Sequence, residues 1–132
     1  MASFNVKILT PEREAYSGSA DKIILRTTEG DVGVLAGHTD YVSALGIGKF
    51  TLYNDDDFRF AALAEGFVTV SKGNVTLLTD FFEWQDEIDA KRAEKAMTFA
   101  KEQLARKDLD ANPDYLEFKL KKALNRISVA GK

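Results

Sequence analysis

The chain contains no cysteine, one histidine and two prolines in 132 residues. Without cysteine there is no disulfide framework and no thiolate metal site, and a reducing compartment is the simplest expectation. With His38 as the lone histidine, no histidine cluster can hold a metal. No apolar run approaches the roughly 20 residues that a membrane span needs. The start, Met1-Ala2-Ser3-Phe4-Asn5-Val6, lacks the basic and apolar regions of a signal peptide. The chain is therefore expected to stay where it is made, free or docked on a partner. No Gly-rich loop is followed by Lys-Ser or Lys-Thr, which excludes a P-loop. Gly30-x-x-Gly33 joins strand to strand rather than strand to helix, which excludes a dinucleotide fingerprint. The acidic run Asp55-Asp56-Asp57 lacks the ligand spacing of a calcium loop and reads as a hairpin turn. His38, between Gly37 and Thr39, reads as a loop hydrogen-bonder with no partner nucleophile. No enzyme is expected.

What the chain does have is a globular balance, 45% hydrophobic and 30% charged, that divides unevenly along its length. Residues 1–84 carry 7 basic and 12 acidic side chains, a net of −5, while residues 85–132 carry 11 and 9, a net of +2. An acidic body with a basic tail predicts that the tail meets something acidic. A free-standing module that holds nucleic acid through its basic helix is the alternative. It needs exposed aromatics interleaved with basic residues on the strands, and the acidic first part argues against nucleic acid.

Residues 1–84 read as strands. Phe4-Asn5-Val6-Lys7-Ile8 alternates with period two. Ile23 to Thr28 stops at Glu29-Gly30 and Asp31 to Leu35 follows at once, which makes Glu29-Gly30-Asp31 a turn. Val42 to Ile47, Phe50 to Tyr53, Phe58 to Leu63 and Phe67 to Val70 read as further separate strands. Val75 to Leu78 follows Ser71-Lys72-Gly73-Asn74, the strongest hairpin signal in the chain. Eight of the nine glycines fall in this part, at expected turns and bulges. About ten short strands with frequent turns predict a β-sandwich or barrel.

Composition changes after Trp84. Asp89 is the expected N-cap of a helix from Ala90. Ala93, Met97, Ala100 and Leu104 form its apolar stripe, with Ala96 beside them. Lys107 to Ala111 is a polar connector. Asn112 then caps a second helix with Pro113 in its first position. Leu116, Leu120, Leu124 and Ile127 form the second stripe, with Ala123 beside it. The fold class is thus α+β, with an all-β domain at 1–84 and an antiparallel helical hairpin at 85–132. Two helices bury one narrow seam, so the hairpin is expected to lean on the β-domain or another protein and to be movable.

Two constellations stand out in the hairpin. Ile88-Asp89-Ala90-Lys91-Arg92-Ala93 gathers an acid, an arginine and helix N-terminal N–H groups near Glu83, which is chemistry that can grip a nucleotide. A capped helix start is the plainer reading. Tyr115, Lys119, Lys122 and Arg126, at i, i+4, i+7 and i+11, make a basic stripe beside the leucines.

Taken together, Leu9-Thr10-Pro11, Tyr16, Ala20-Asp21 and Thr28-Glu29-Gly30-Asp31-Val32-Gly33-Val34-Leu35 followed by His38 resemble the epsilon subunit of bacterial F-type ATP synthases. Glu65-Gly66-Phe67-Val68-x-Val70, Asn74 to Leu78, Ile88-Asp89-x-x-Arg92-Ala93 and Ala123 to Ala130 fall in the same order. The resemblance implies an N-terminal β-sandwich followed by two helices, in the central stalk of the rotary motor. It implies that the β-domain binds the gamma subunit and the c ring, with Glu29, Gly30 and Asp31 toward the ring and His38 near the gamma and ring contacts. It implies a hairpin that switches between folded and extended forms. The extended form would carry Tyr115, Lys119, Lys122 and Arg126 to acidic segments of the catalytic beta subunits, within the alpha/beta head, and inhibit ATP hydrolysis. Some members bind ATP on the hairpin; Glu83, Ile88, Asp89, Arg92 and Arg126 match that pattern. Phe99, Tyr115 and Lys122 stand where ATP-binding members often carry Arg. The implied location is peripheral, on the cytoplasmic face of the bacterial cell membrane, held there only through the complex. No cofactor is required.

Overall fold

A computed structural model describes residues 2–106 and 112–131. The chain divides into two compact units, Met1–Trp84 and Gln85–Lys132.

The first unit is a seven-stranded β-structure: β1 (Phe4–Leu9), β2 (Glu14–Ala20), β3 (Lys22–Thr27), β4 (Gly30–Leu35), β5 (Tyr41–Asn54), β6 (Asp57–Ser71) and β7 (Asn74–Trp84). The ladder runs β2-β1-β7-β6-β5-β3-β4. All neighbours are antiparallel except β1 and β7, which are parallel.

Seven strands, not about ten, form because β5, β6 and β7 are 14, 15 and 11 residues long and turn a corner without ending. Which residues face the core shows the corner. On β6, Val68 and Val70 point inward, but so do Ala61 and Leu63. Successive side chains alternate faces, so an odd separation means that the strand has reversed its inward face once. Strand β5 does the same between Leu45 and Phe50, and β7 between Leu77 and Phe82. The reversals line up in register, because Leu45 pairs with Gly66 and Gly66 with Thr79. One sheet thus folds over itself into two layers, as strands do when they pass between layers at bends. The first layer is β2, β1 and the near halves of β7, β6 and β5. The second is their far halves with β3 and β4. Gly46, Gly48 and Gly66, which look like turn signals in sequence, are the bends. At Gly48 a Cβ would sit 2.4 Å from Arg26 Cβ.

The core lies between the layers. Phe4, Val6, Ile8, Val68, Val70, Val75 and Leu77 meet Ile23, Leu25, Phe50, Leu52, Leu63, Phe82 and Trp84. Phe50, Phe82 and Trp84 pack edge to face, with centroids 4.9–6.1 Å apart. Tyr16 meets the Trp84 ring edge-on, and the indole N–H donates to Ala15 O. The tip of the β5–β6 hairpin is held by Asp21, whose carboxylate accepts the Asp55 N–H at 2.6 Å while Asp55 takes a left-handed φ of 55°. This is the turn expected at Asp55–Asp57.

The second unit begins with a short 3-10 turn, Gln85–Glu87, followed by α1 (Ala90–Arg106) and α2 (Pro113–Ala130). Asp89 caps α1 as expected, its Oδ1 accepting the Arg92 N–H. Asn112 caps α2, its side chain accepting from the N–H groups of Asp114 and Tyr115, with Pro113 at the first helical position. The two helices pack together. Gln85, just ahead of α1, donates to Val129 O near the end of α2, so the helices run antiparallel. Ala93 and Ala100 are buried, but Ala96 is exposed. On α2, Leu116, Ala123 and Val129 are buried while Leu124 is 43% exposed. Ala123 lies closer than Leu124 to the Leu116 direction around the helix, so the small residue takes the seam and the leucine its rim. The connector expected at 107–111 lies outside the described residues.

Candidate functional site

The strongest surface feature of the first unit is a row of apolar side chains across four strands. Leu9 on β1 pairs with Leu78 on β7, Leu78 with Phe67 on β6, and Phe67 with Ala44 on β5. All four lie on the outer face of the first layer. Phe67 is 58% exposed and Leu78 51%, and Val42, two residues from Ala44 on the same face of β5, is exposed as well. Four strands at about 4.8 Å spacing make the row roughly 14 Å long. A shallow groove along it is completed by Thr10, Pro11, Thr28, Glu65 and Asp80. Sequence reading missed this surface. The available signal was Leu77-Leu78: two adjacent leucines in a period-two strand cannot both face the core.

Glu29, Gly30 and Asp31 lie at the β3–β4 turn. The turn itself is Thr28-Glu29, one residue earlier than expected, and Gly30 and Asp31 already belong to β4. The Thr27 hydroxyl donates to Gly30 O and accepts the Glu29 N–H, which holds the turn shut. Glu29 is exposed. Asp31 pairs across the hairpin with Arg26, Nε to Oδ1 at 2.6 Å. The hydrogen bond from that guanidinium holds the Asp31 carboxyl below its ordinary value, against a smaller opposing effect of burial. His38 is half-buried in the loop beyond the other end of β4. Its Nδ1 lies 2.6 Å from Thr39 O and its ring meets Tyr41 edge-on. Gly30 and Leu35 are separated by five residue steps, roughly 17 Å of strand. The turn and His38 are therefore two places, not one site.

The nucleotide candidates divide between the units. Glu83 is on β7 in the first unit. Ile88, Asp89, Arg92 and Arg126 are in the second. Ile88 is half-buried between the 3-10 turn and α1, its N–H donating to Gln85 O. Asp89 takes the Arg92 and Ala93 main-chain N–H groups with its side chain and carbonyl, so its link to Arg92 is a cap rather than an ion pair. Arg92 is exposed in the first turn of α1. Arg126 is half-buried one turn before Val129, at the same end of the hairpin. This end offers two guanidinium groups suited to phosphate. Phe99 is 57% exposed on α1.

The basic stripe of α2 forms with its aromatic residues. Lys119 Nζ lies 5.1 Å from the centre of the Tyr115 ring, and Lys122 Nζ 5.6 Å from that of Phe118. Tyr115 is 53% exposed, and Lys122 and Arg126 are half-buried. Among the described residues no group of three or more His, Cys, Asp or Glu is placed to hold a metal. Among them, too, no helix is long and apolar enough to cross a membrane.

Comparison with known proteins follows the same division. The family described as "ATP synthase, Delta/Epsilon chain, beta-sandwich domain" matches residues 3–85, and "ATP synthase, Delta/Epsilon chain, long alpha-helix domain" matches residues 86–131. An ATP synthase epsilon chain of Ruminococcus albus is 43% identical, over 100% of this chain and 99% of that one. An ATP synthase epsilon chain of Caldicellulosiruptor bescii is 36% identical, over 98% and 95%. Among solved structures, a chain of the Euglena gracilis mitochondrial ATP synthase (OSCP/F1/c-ring) shares the fold with a TM-score of 0.85 at 24% identity, over 100% of this chain and 83% of that one. A chain of the Tetrahymena thermophila mitochondrial ATP synthase central stalk and c-ring shares it at 0.68 and 15%, over 96% and 95%. A sandwich followed by a capped helical hairpin, matched end to end by these relatives, places the chain in the ATP synthase delta/epsilon family, as a bacterial F-type epsilon subunit.

Proposed function

We propose that this chain is a non-catalytic subunit of the central stalk, docking through its first unit and regulating ATP hydrolysis through its second. The observation that carries the docking half is the apolar row Leu9–Leu78–Phe67–Ala44. An exposed apolar strip rimmed by polar residues is what a docking surface needs. The row is assigned to the gamma subunit, with His38 toward the contacts of gamma and the ring. The tip at Glu29, Gly30 and Asp31 is assigned to the c ring. The Tetrahymena protein of like fold belongs to a central stalk and c-ring assembly, which supports the reading. Attachment to the cytoplasmic face of the bacterial membrane follows from the complex alone.

The test is co-purification. The tagged chain should bring down alpha, beta and gamma subunits, and a Phe67→Ser/Leu78→Ser variant should bring down far less of each. Undiminished recovery with that variant refutes the assignment.

The regulatory half rests on α2, which presents Tyr115, Lys119, Lys122 and Arg126 to acidic segments of the catalytic beta subunits when the hairpin extends. ATP is assigned as the regulatory ligand of the folded hairpin, with Arg92 and Arg126 toward its phosphates and Ile88 and Asp89 beside it. Glu83, in the first unit, is the remaining candidate. Calorimetric titration of the isolated chain with millimolar ATP tests this; the absence of heat refutes it.

A further inference from the structure

At the corner of β6, Glu65 takes a φ of 57° and Gly66 a φ of 127°. Neither ladder pairs Glu65 with a neighbour, although Ala64 and Gly66 are paired on both sides. The bend also brings β6 tightly onto β7: a Cβ on Gly66 would lie 1.9 Å from Leu78 O. Such a kink takes Glu65 out of the ladder register, so its carbonyl is open to a donor other than a strand N–H.

Thr79 supplies it. Its side chain is 3% exposed, and its Oγ1 lies 2.6 Å from Glu65 O, 3.0 Å from Phe81 O and 3.1 Å from Ala64 O. A hydroxyl carries one proton, so it donates to one of these oxygens at a time, and the shortest distance belongs to Glu65. One buried hydroxyl thereby joins the bend of β6 to the bend of β7.

The two most exposed members of the apolar row are attached directly to this joint. Phe67 follows Gly66, and Leu78 precedes Thr79. Gly66 and Thr79 are cross-strand partners, and so are Phe67 and Leu78. The directions in which the two side chains leave the sheet are therefore set where the hydroxyl holds the kink.

We propose that Thr79 is a positioning residue for partner docking: its buried hydroxyl fixes the Glu65–Gly66 kink and thereby aims Phe67 and Leu78 at the gamma subunit. The proposal rests on the docking assignment made above for the apolar row. Loss of the hydroxyl with the shape kept removes the hydrogen bond that ties Thr79 to the Glu65 carbonyl. The kink then relaxes and the pair loses its common orientation.

The test uses the complete chain and an alpha–beta–gamma assembly prepared without it. Thr79→Val replaces the hydroxyl with a methyl group of like shape and should weaken binding about tenfold, mainly through faster dissociation. Thr79→Ser keeps the hydroxyl and should bind within about twofold of the unaltered chain. Native affinity in Thr79→Val, measured at a temperature where it is fully folded, overturns the proposal even if its melting temperature has fallen. Leu78→Ser separates the two claims. If it binds normally, the docking assignment fails and takes this proposal with it. If Leu78→Ser binds weakly and Thr79→Val normally, only the positioning role is lost. A Thr79→Val chain that does not fold leaves a direct measurement on the unaltered protein. The Thr79 hydroxyl proton should be visible by NMR in slow exchange, with a scalar coupling to a carbonyl carbon at the bend. A rapidly exchanging hydroxyl overturns the proposal.

Discussion

Phe67 on β6 and Leu78 on β7 stand opposite each other across the sheet, each more than half exposed, at positions where neither contributes to the core. Side chains so placed have little to do with folding. Phe67→Ser and Leu78→Ser should each leave the free energy of unfolding within about 0.5 kcal/mol of the unaltered chain. Urea titration checks this. Both variants should also bind less of a hydrophobic dye in the folded state. A large loss of stability would mean that the pair belongs to the core.

Gly66 is the opposite case. Its φ of 127° is open almost only to glycine, and a Cβ would collide with Leu78 O at 1.9 Å. The obstacle is main chain, which cannot swing aside. Gly66→Ala should destabilise the first unit by at least about 3 kcal/mol, combining backbone strain with overpacking. Denaturant unfolding followed by Trp84 fluorescence reports it.

Asp31 makes a pH prediction whose sign is fixed by its pairing with Arg26. Its folded-state pKa is lowered from 3.8, so the carboxylate binds a proton less readily folded than unfolded. The stabilisation is therefore present above pH 3.8 and lost as pH falls through the lowered value. Both side chains are about half exposed, so solvent screens the pair and its contribution is small. Asp31→Asn should cost no more than about 0.5 kcal/mol at pH 7. A carboxyl NMR titration should place the Asp31 midpoint below 3.8.

The proposed role of α2 predicts a gain of activity elsewhere. Lys119→Glu/Lys122→Glu reverses two charges and removes both cation–ring pairs. If α2 restrains the catalytic head through acidic segments, ATP hydrolysis by the reconstituted complex should rise about threefold or more, since each lost pair is worth ~0.5–1 kcal/mol. Hydrolysis unchanged by the reversal would sink the role of the stripe.

Much of the hairpin was legible because helix signals are local. Asp89, Asn112 and Pro113 act on N–H groups within three residues, and the structure finds each where its chemistry puts it. The choice of Ala123 over Leu124 for the seam was less legible, because hydrophobicity ranks leucine first while angular position decides contact. In the β-unit, Gly48 and Gly66 look like turn residues, and reading them so splits β5 and β6. That they are bends inside continuous strands depends on the pairing of β5 with β3 and of β6 with β7, which no short window of sequence contains. The apolar row was illegible for the same reason. Leu9, Leu78, Phe67 and Ala44 come from four separate stretches and become neighbours only through register. Nothing in the sequence sets Thr79 apart from the other threonines, because its partners on β6 lie 14 and 15 positions away.

Three strands that belong to both layers also change how the β-unit bears load. Two separate sheets can slide over one another by trading one set of van der Waals contacts for the next. Here a sliding displacement must bend β5, β6 and β7 together at Gly46–Gly48, Glu65–Gly66 and Thr79. A torque applied at the β3–β4 tip would reach the opposite layer through covalent main chain and unbroken ladders, with little slack. If the proposed stalk role holds, a folded plate serves it better than two stacked sheets would.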